Sequence, residues 1–153
     1  VRILIDTLGD ELISRSLVGI EGRIVDISGA RRELAEEMRA QIREQFDTEG
    51  QAGSGGWEPL AASTVAGKRA RGRSMRILEE SGDLRASLTI IGGTDNVTRI
   101  TGDTFEYGTT IPYAKHHQHG TARMPRRRPA QLPEQGRRQV TRILQRHVMG
   151  EWA

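Results

Sequence analysis

Cysteine is absent from all 153 residues, so neither a disulfide framework nor a thiolate metal site can exist, and the redox compartment is not encoded. Aromatic residues make up only 4% of the chain, which makes each large ring a marker of an anchored point. Long hydrophobic runs are missing too. None approaches the ~18–20 apolar residues that span a bilayer, so no membrane partner is expected. Val1–Ile5 is too short for a secretory leader and runs straight into Asp6, so the chain reads as soluble and unexported by its own signal. At 35% hydrophobic residues there is material for one domain, 1–153, with a modest core. Burial against other subunits is the expected complement.

Charge is what the chain has in quantity. Net charge is only +3, but it is unevenly placed. Lys68, Arg69, Arg71, Arg73 and Arg76 fall within 66–76 without an acid, and 123–146 carries eight arginines against Glu134 alone. These blocks hold an excess of twelve positive charges and leave nine negative on the remainder. A polarised molecule of this kind can stack acidic face on basic face, or present a basic face to DNA.

Element by element, Val1, Ile3 and Ile5 alternate as in a short strand. Asp10 is placed to cap a brief helix carrying Leu12, Ile13, Leu17 and Val18, which Gly19 and Gly22 are expected to break. Leu34, Met38, Ile42 and Phe46 recur every fourth residue, with Ala35 beside them, and define a long amphipathic helix over 29–47. Asp26 or Ser28 can cap it, and Arg32 can pair with Glu36 across a turn. From about 48 to 76 the chain turns glycine-rich and then basic, which predicts a long mobile loop anchored at Trp57.

Beyond Ile77, Ser81–Arg85 reads as a turn into a short helix, followed by alternating Ser87–Ile91. Val97–Thr101 and Thr104–Gly108 follow, with turns at Gly92-Gly93 and Gly102-Asp103. This spacing predicts a three-stranded antiparallel meander. Tyr113–Gly120 reads as a turn or a single helical turn. Pro125-Arg126-Arg127-Arg128-Pro129 is held stiff and extended by its prolines. Leu132-Pro133-Glu134 opens a basic helix over about 132–149, with Val140, Ile143, Leu144 and Val148 on its apolar face and Gly150 as its stop. The fold class is α+β: the meander packed on the long helix, with the loop and the C-terminal helix appended.

His116, His117 and His119 invite a zinc proposal, but a zinc site needs three or four convergent ligands, and adjacent imidazoles point apart in any regular element. A small hydrolase or nuclease would need a carboxylate cluster or a His–acid pair in a cleft; Glu79, Glu80 and Asp83 read instead as capping and surface charge. No nucleophile elbow, phosphate-cradling loop or H-E-x-x-H pattern occurs. The basic blocks allow contact with DNA through phosphate, insensitive to sequence, but nothing resembles a helix-turn-helix or a zinc finger. No enzyme activity, metal or cofactor is expected.

Several pieces run in a specific order: Gly56-Trp57-Glu58-Pro59-Leu60, then Thr64 and Lys68, then Ile77–Leu88, then Tyr113-Ala114 leading to His117-Gln118-His119-Gly120, then Pro125 and Arg128-Pro129. Read together over about 30–130, they resemble the phage virion morphogenesis family, the tail completion proteins of Mu-like and related tailed phages. His119 and Ala130 stand where that family often has aromatics, and Arg126 and Arg127 are this chain's own additions. The resemblance implies a non-enzymatic structural subunit of the head–tail junction, a homo-oligomer (hexameric by that resemblance) in a ring between head-completion and tail-terminator proteins. On that basis Trp57, Tyr113, His117, Gln118, Arg126, Arg127 and Arg128 are assigned to subunit or ring docking. Lys68, Arg69, Arg71, Arg73 and Arg76 are assigned to the lumen and non-specific contact with packaged DNA. The alternative is a free-standing DNA-binding protein.

Overall fold

The computed structural model describes residues 10–150. Helix α1 is Asp10–Val25, a 3-10 turn at Ser28–Ala30 leads into α2 (Arg31–Asp47), and the short α3 (Gln51–Ser54) and α4 (Ala62–Ala70) follow. After α5 (Asp83–Thr89) come strands β1 (Asn96–Thr101) and β2 (Thr104–Thr109), then α6 (Ala114–His119) and α7 (Glu134–Met149). The fold is α+β.

The fourfold apolar recurrence makes α2 the spine. Leu34 at one end packs with Ile27, Ala30 and Ile143 of α7, and with Ile100 and Phe105 of the hairpin. At the other end Ile42 and Phe46 pack with Trp57, Ile77, Leu84 and Leu88. Leu34, Ile42 and Phe46 are each 1% exposed. Burying each contributes roughly 1.5–3 kcal/mol. Gly136 lets α7 approach α2 closely, since a Cβ there would press on Leu132 at 2.8 Å and Gln41 at 3.0 Å. Asp26 accepts a 2.9 Å bond from the Ser28 amide in the turn before the spine, but neither of them caps α2, whose N-cap is Ala30 with no side-chain bond. Glu36 pairs with Arg39, not with Arg32 as expected.

β1 and β2 form an antiparallel hairpin closed at Gly102-Asp103, with Thr101 opposite Thr104. The expected third strand is not there. Ser87–Thr89 belongs to α5, because Leu84 and Leu88, four apart, both reach the Phe46–Trp57 core only in a helix. Short apolar runs do not separate the two periods. The hairpin caps that helix: Asn96 Nδ2 donates to Ser87 O at 2.9 Å, and the Tyr107 hydroxyl donates to Leu88 O at 2.9 Å.

Two further expectations are corrected. α1 runs unbroken through Gly19 and Gly22, each tolerated at about 1 kcal/mol relative to alanine. It leans on α7, where Arg23 Nε donates to Val148 O at 2.7 Å. The stretch 48–76 is not structureless, since it contains α3 and α4. After α2, Glu49 and Gly50 take left-handed backbone (φ 48° and 87°), and a Cβ at Gly50 would collide with the Trp57 indole. The strand expected at Val1–Ile5 lies outside the described residues.

Trp57 meets Phe46 edge to face, with ring centroids 5.4 Å apart. Trp57→Ala should therefore destabilise the folded chain by about 3–5 kcal/mol, the range for deleting a buried aromatic. Urea unfolding followed by circular dichroism checks this; a loss below about 1 kcal/mol would contradict the packing role.

Candidate functional site

A cleft of about 620 Å³ opens between α4, the 78–84 turn, α6 and the 123–127 segment. Its walls come from the ordered pieces singled out in the sequence: Leu60, Thr64 and Lys68, then Leu78 to Leu84, then Tyr113 and His117, then Pro125 and Arg127. Pieces spread over some seventy positions thus converge on one surface. The floor is apolar and the rim carries both signs of charge, Arg123 against Glu80 and Asp83. Leu78 sits in the wall with φ at 61°, a left-handed conformation that is costly for a branched side chain.

Lys68 lies beneath this wall rather than in solvent. It is 4% exposed, and its Nζ donates to the carbonyls of Ser74, Arg76 and Glu79 at 2.8, 2.9 and 2.9 Å. The ammonium acts as an internal hub around which 69–80 folds, with Glu80 at 3.8 Å as counter-charge. Arg76 is also engaged. It donates to Phe46 O and Asp47 O at 2.8 and 3.1 Å, capping α2, and pairs with Glu79 at 3.5 Å. The assignment of Lys68 to a DNA-facing surface is therefore corrected, since its ammonium is buried on backbone carbonyls that need donors; Arg76 keeps its side chain 42% exposed while it donates to the end of α2. Arg69, Arg71 and Arg73 are exposed, with Arg71 paired to Glu80 at 3.3 Å.

The docking candidates divide in the same way. Trp57 is 6% exposed within its own chain, and its Nε1 donates to Arg128 O at 3.3 Å, so its indole is a core element rather than a surface for a neighbour. Arg127 is 7% exposed; its Nε donates to Glu58 O at 2.7 Å and its Nη2 to Pro59 O at 2.9 Å. It too faces inward. Gln118 exchanges bonds with Ala130, Nε2 to the carbonyl at 3.2 Å and Oε1 from the amide at 3.3 Å. Arg126 is exposed and Arg128 half-buried, while Tyr113 stands at the cleft mouth, 44% exposed, edge-on to His117 at 6.0 Å.

His117 has its Nδ1 buried without a hydrogen-bond partner. Burial, aided by the charges of Arg127 and His116, pushes its pKa below the ordinary 6.5. Among the described residues no three His, Asp or Glu side chains are grouped to hold a metal ion. Nor is any helix among them long and apolar enough to cross a membrane. Leu78, Leu84 and Met124, which make the apolar floor, were not singled out as site residues; the quoted motifs contained the first two, but only the fold shows that they face one cleft. A further exposed feature lies on α1, where Leu17, Val18, Ile24 and Val25 are 60, 67, 52 and 63% exposed.

A family model described as the phage virion morphogenesis family matches residues 10–151. No curated protein matches the chain. No solved structure matches it either.

The His117 environment makes stability depend on pH with a definite sign. The unfolded chain takes up the proton first, so stability is full above about pH 6.5, falls as pH drops through that value, and levels off below the folded pKa. His117→Gln removes that component. Urea midpoints at about pH 7.5 and 5.5 should show a larger drop for the native chain than for the variant, and equal drops would contradict the assignment.

Proposed function

The chain belongs to the phage virion morphogenesis family, and from that premise we propose that it is a tail-completion subunit of the head–tail junction. Its role in virion assembly is structural. As a homo-oligomeric ring it joins the head-completion protein above to the tail terminator below and leaves a passage for DNA. The observation that carries this reading is the convergence of the ordered motif pieces on one half-apolar cleft with a charged rim, a surface suited to a protein segment. The unpartnered apolar residues of α1 supply the surface for self-association, since contiguous exposed apolar patches mark protein contacts.

Free-standing DNA binding has a narrower base. Of the five cations in the first basic block, Lys68 and Arg76 hold backbone carbonyls and Arg71 faces Glu80. That leaves Arg69 and Arg73 exposed and uncommitted among the described residues. Two screened surface cations give weak phosphate contact, compatible with DNA sliding past a ring wall.

Complementation tests the reading. A phage lacking this chain should yield filled heads and finished tails that stay apart, and adding the purified protein to the extract should join them. A variant with Val18→Glu and Val25→Glu should sediment as a monomer, keep its melting temperature, and fail to join. Joined particles without the chain would contradict the proposed function, and full joining by a monomeric variant would contradict the ring.

A further inference from the structure

The proline-bracketed arm sends its arginines to opposite sides, as an extended segment must. Arg127 turns into the body, while Arg126 and Arg128, two apart, line a single pocket of about 360 Å³ with Gly53, Gly56 and Gln131. The arm is fixed from behind. The Arg127 amide donates to His117 O at 2.9 Å, and Arg128 O accepts from both Trp57 Nε1 and Gln45 Nε2 at 3.3 Å. Pro129 is fully buried. The backbone beneath both guanidiniums is therefore set before any ligand arrives.

Neither guanidinium has a hydrogen-bonding or ionic partner among the described residues, although Arg128 is half-buried. Gln131 Nε2 is tied to Gly53 O at 2.6 Å, and its Oε1 is buried without a donor. A guanidinium carries donors only. Two guanidiniums in one pocket with two glycines and a glutamine leave a surplus of N–H donors, with no carboxylate among its lining residues. A partly desolvated cation in that position calls for an acceptor that is anionic and presents paired oxygens.

We propose that this pocket is a carboxylate socket, receiving an Asp or Glu side chain from the protein docked next to this subunit. The proposal rests on the junction reading above and deepens it by naming the partner's chemistry. Stiffness favours a carboxylate over DNA phosphate. Both arginines stand on a backbone fixed from behind, whereas non-specific DNA contact uses exposed cations that exchange freely between phosphates. Arg127 has no part in the socket, because its donors are occupied by Glu58 and Pro59.

Titration of the full chain with sodium acetate and then with a short Glu-rich peptide, at ionic strength matched with chloride, tests the socket without any phage. The amide NMR signals of Gly53 and Gly56 and the side-chain amide of Gln131 should shift saturably. Arg126→Gln with Arg128→Gln should weaken peptide binding by about tenfold or more at unchanged melting temperature. Arg69→Gln with Arg73→Gln should bind as the native chain does. Shifts that never saturate, or equal binding by the socket variant, would overturn the proposal. So would short duplex DNA saturating the same signals more tightly than the peptide, which would make phosphate the occupant. Since the titration needs no particle assembly, the socket can fail while the joining function stands, and a failure to join does not touch the socket.

Discussion

Two short segments, 57–60 and 127–130, are held together by side chains that each reach across to the other's backbone. Trp57 donates to the Arg128 carbonyl, and Arg127 donates to the carbonyls of Glu58 and Pro59. Gln45 of α2 joins the same Arg128 oxygen, so the crossing is fastened to the spine of the fold. The cleft, the outward aim of Arg126 and Arg128, and the placement of α6 all depend on this joint. The two charged bonds from Arg127 contribute about 1.5–3 kcal/mol each and the neutral ones from Trp57 and Gln45 about 0.5–1.5, and leaving the buried carbonyls unmet would cost a comparable amount.

The joint shows how a chain with few apolar residues closes its core. Lys68 gathers three carbonyls of the 74–79 turn, Arg76 caps the end of α2, and Arg127 clamps 58–59. Asp47 and Glu79 meet Arg85 at 2.5 and 2.7 Å and tie α5 to the same region. Cations that would look like a polyanion-binding surface in composition alone are in part the internal braces of the subunit. What remains outward is a smaller set: Arg69 at the end of α4 with Arg71 and Arg73 after it, Arg123, Arg126 and Arg128 on and before the arm, and the α7 face, where Arg138 and Arg146 pair with Glu134 and Glu33.

The sequence made α2 legible because its stripe repeats every fourth residue for four turns, and the hairpin legible because Gly102-Asp103 is a strong turn signal. α6 and α7 were legible from Gly120 and from Pro133-Glu134. α4 was not. Its only partly buried apolar side chain is Val65, and it is organised by the Lys68 ammonium, an interaction with backbone oxygens that no periodicity records. The start of α5 was legible as a short helix after Ser81, but its second half reads as a strand because Ser87–Ile91 fits two periods equally well, and the choice belongs to Leu84 and Leu88 meeting Phe46 and Trp57. The motif pieces could be read one by one, yet their meeting in a single cleft is a property of the folded chain. The inward turn of Arg127 is likewise decided by carbonyls sixty-eight positions away.

The central claim is that 57–60 and 127–130 form one cooperative joint, and a double-mutant cycle measures it directly. Trp57→Phe removes the indole donor and keeps an aromatic ring, while Arg127→Met removes the guanidinium and keeps most of its stem. Unfolding free energies of the native chain, both single variants and the pair give the coupling. The account predicts non-additivity of about 1 kcal/mol or more, as for residues sharing one hydrogen-bond network. Additive losses, within about 0.3–0.5 kcal/mol, would mean that the two contacts act independently and that the joint does not exist as a unit.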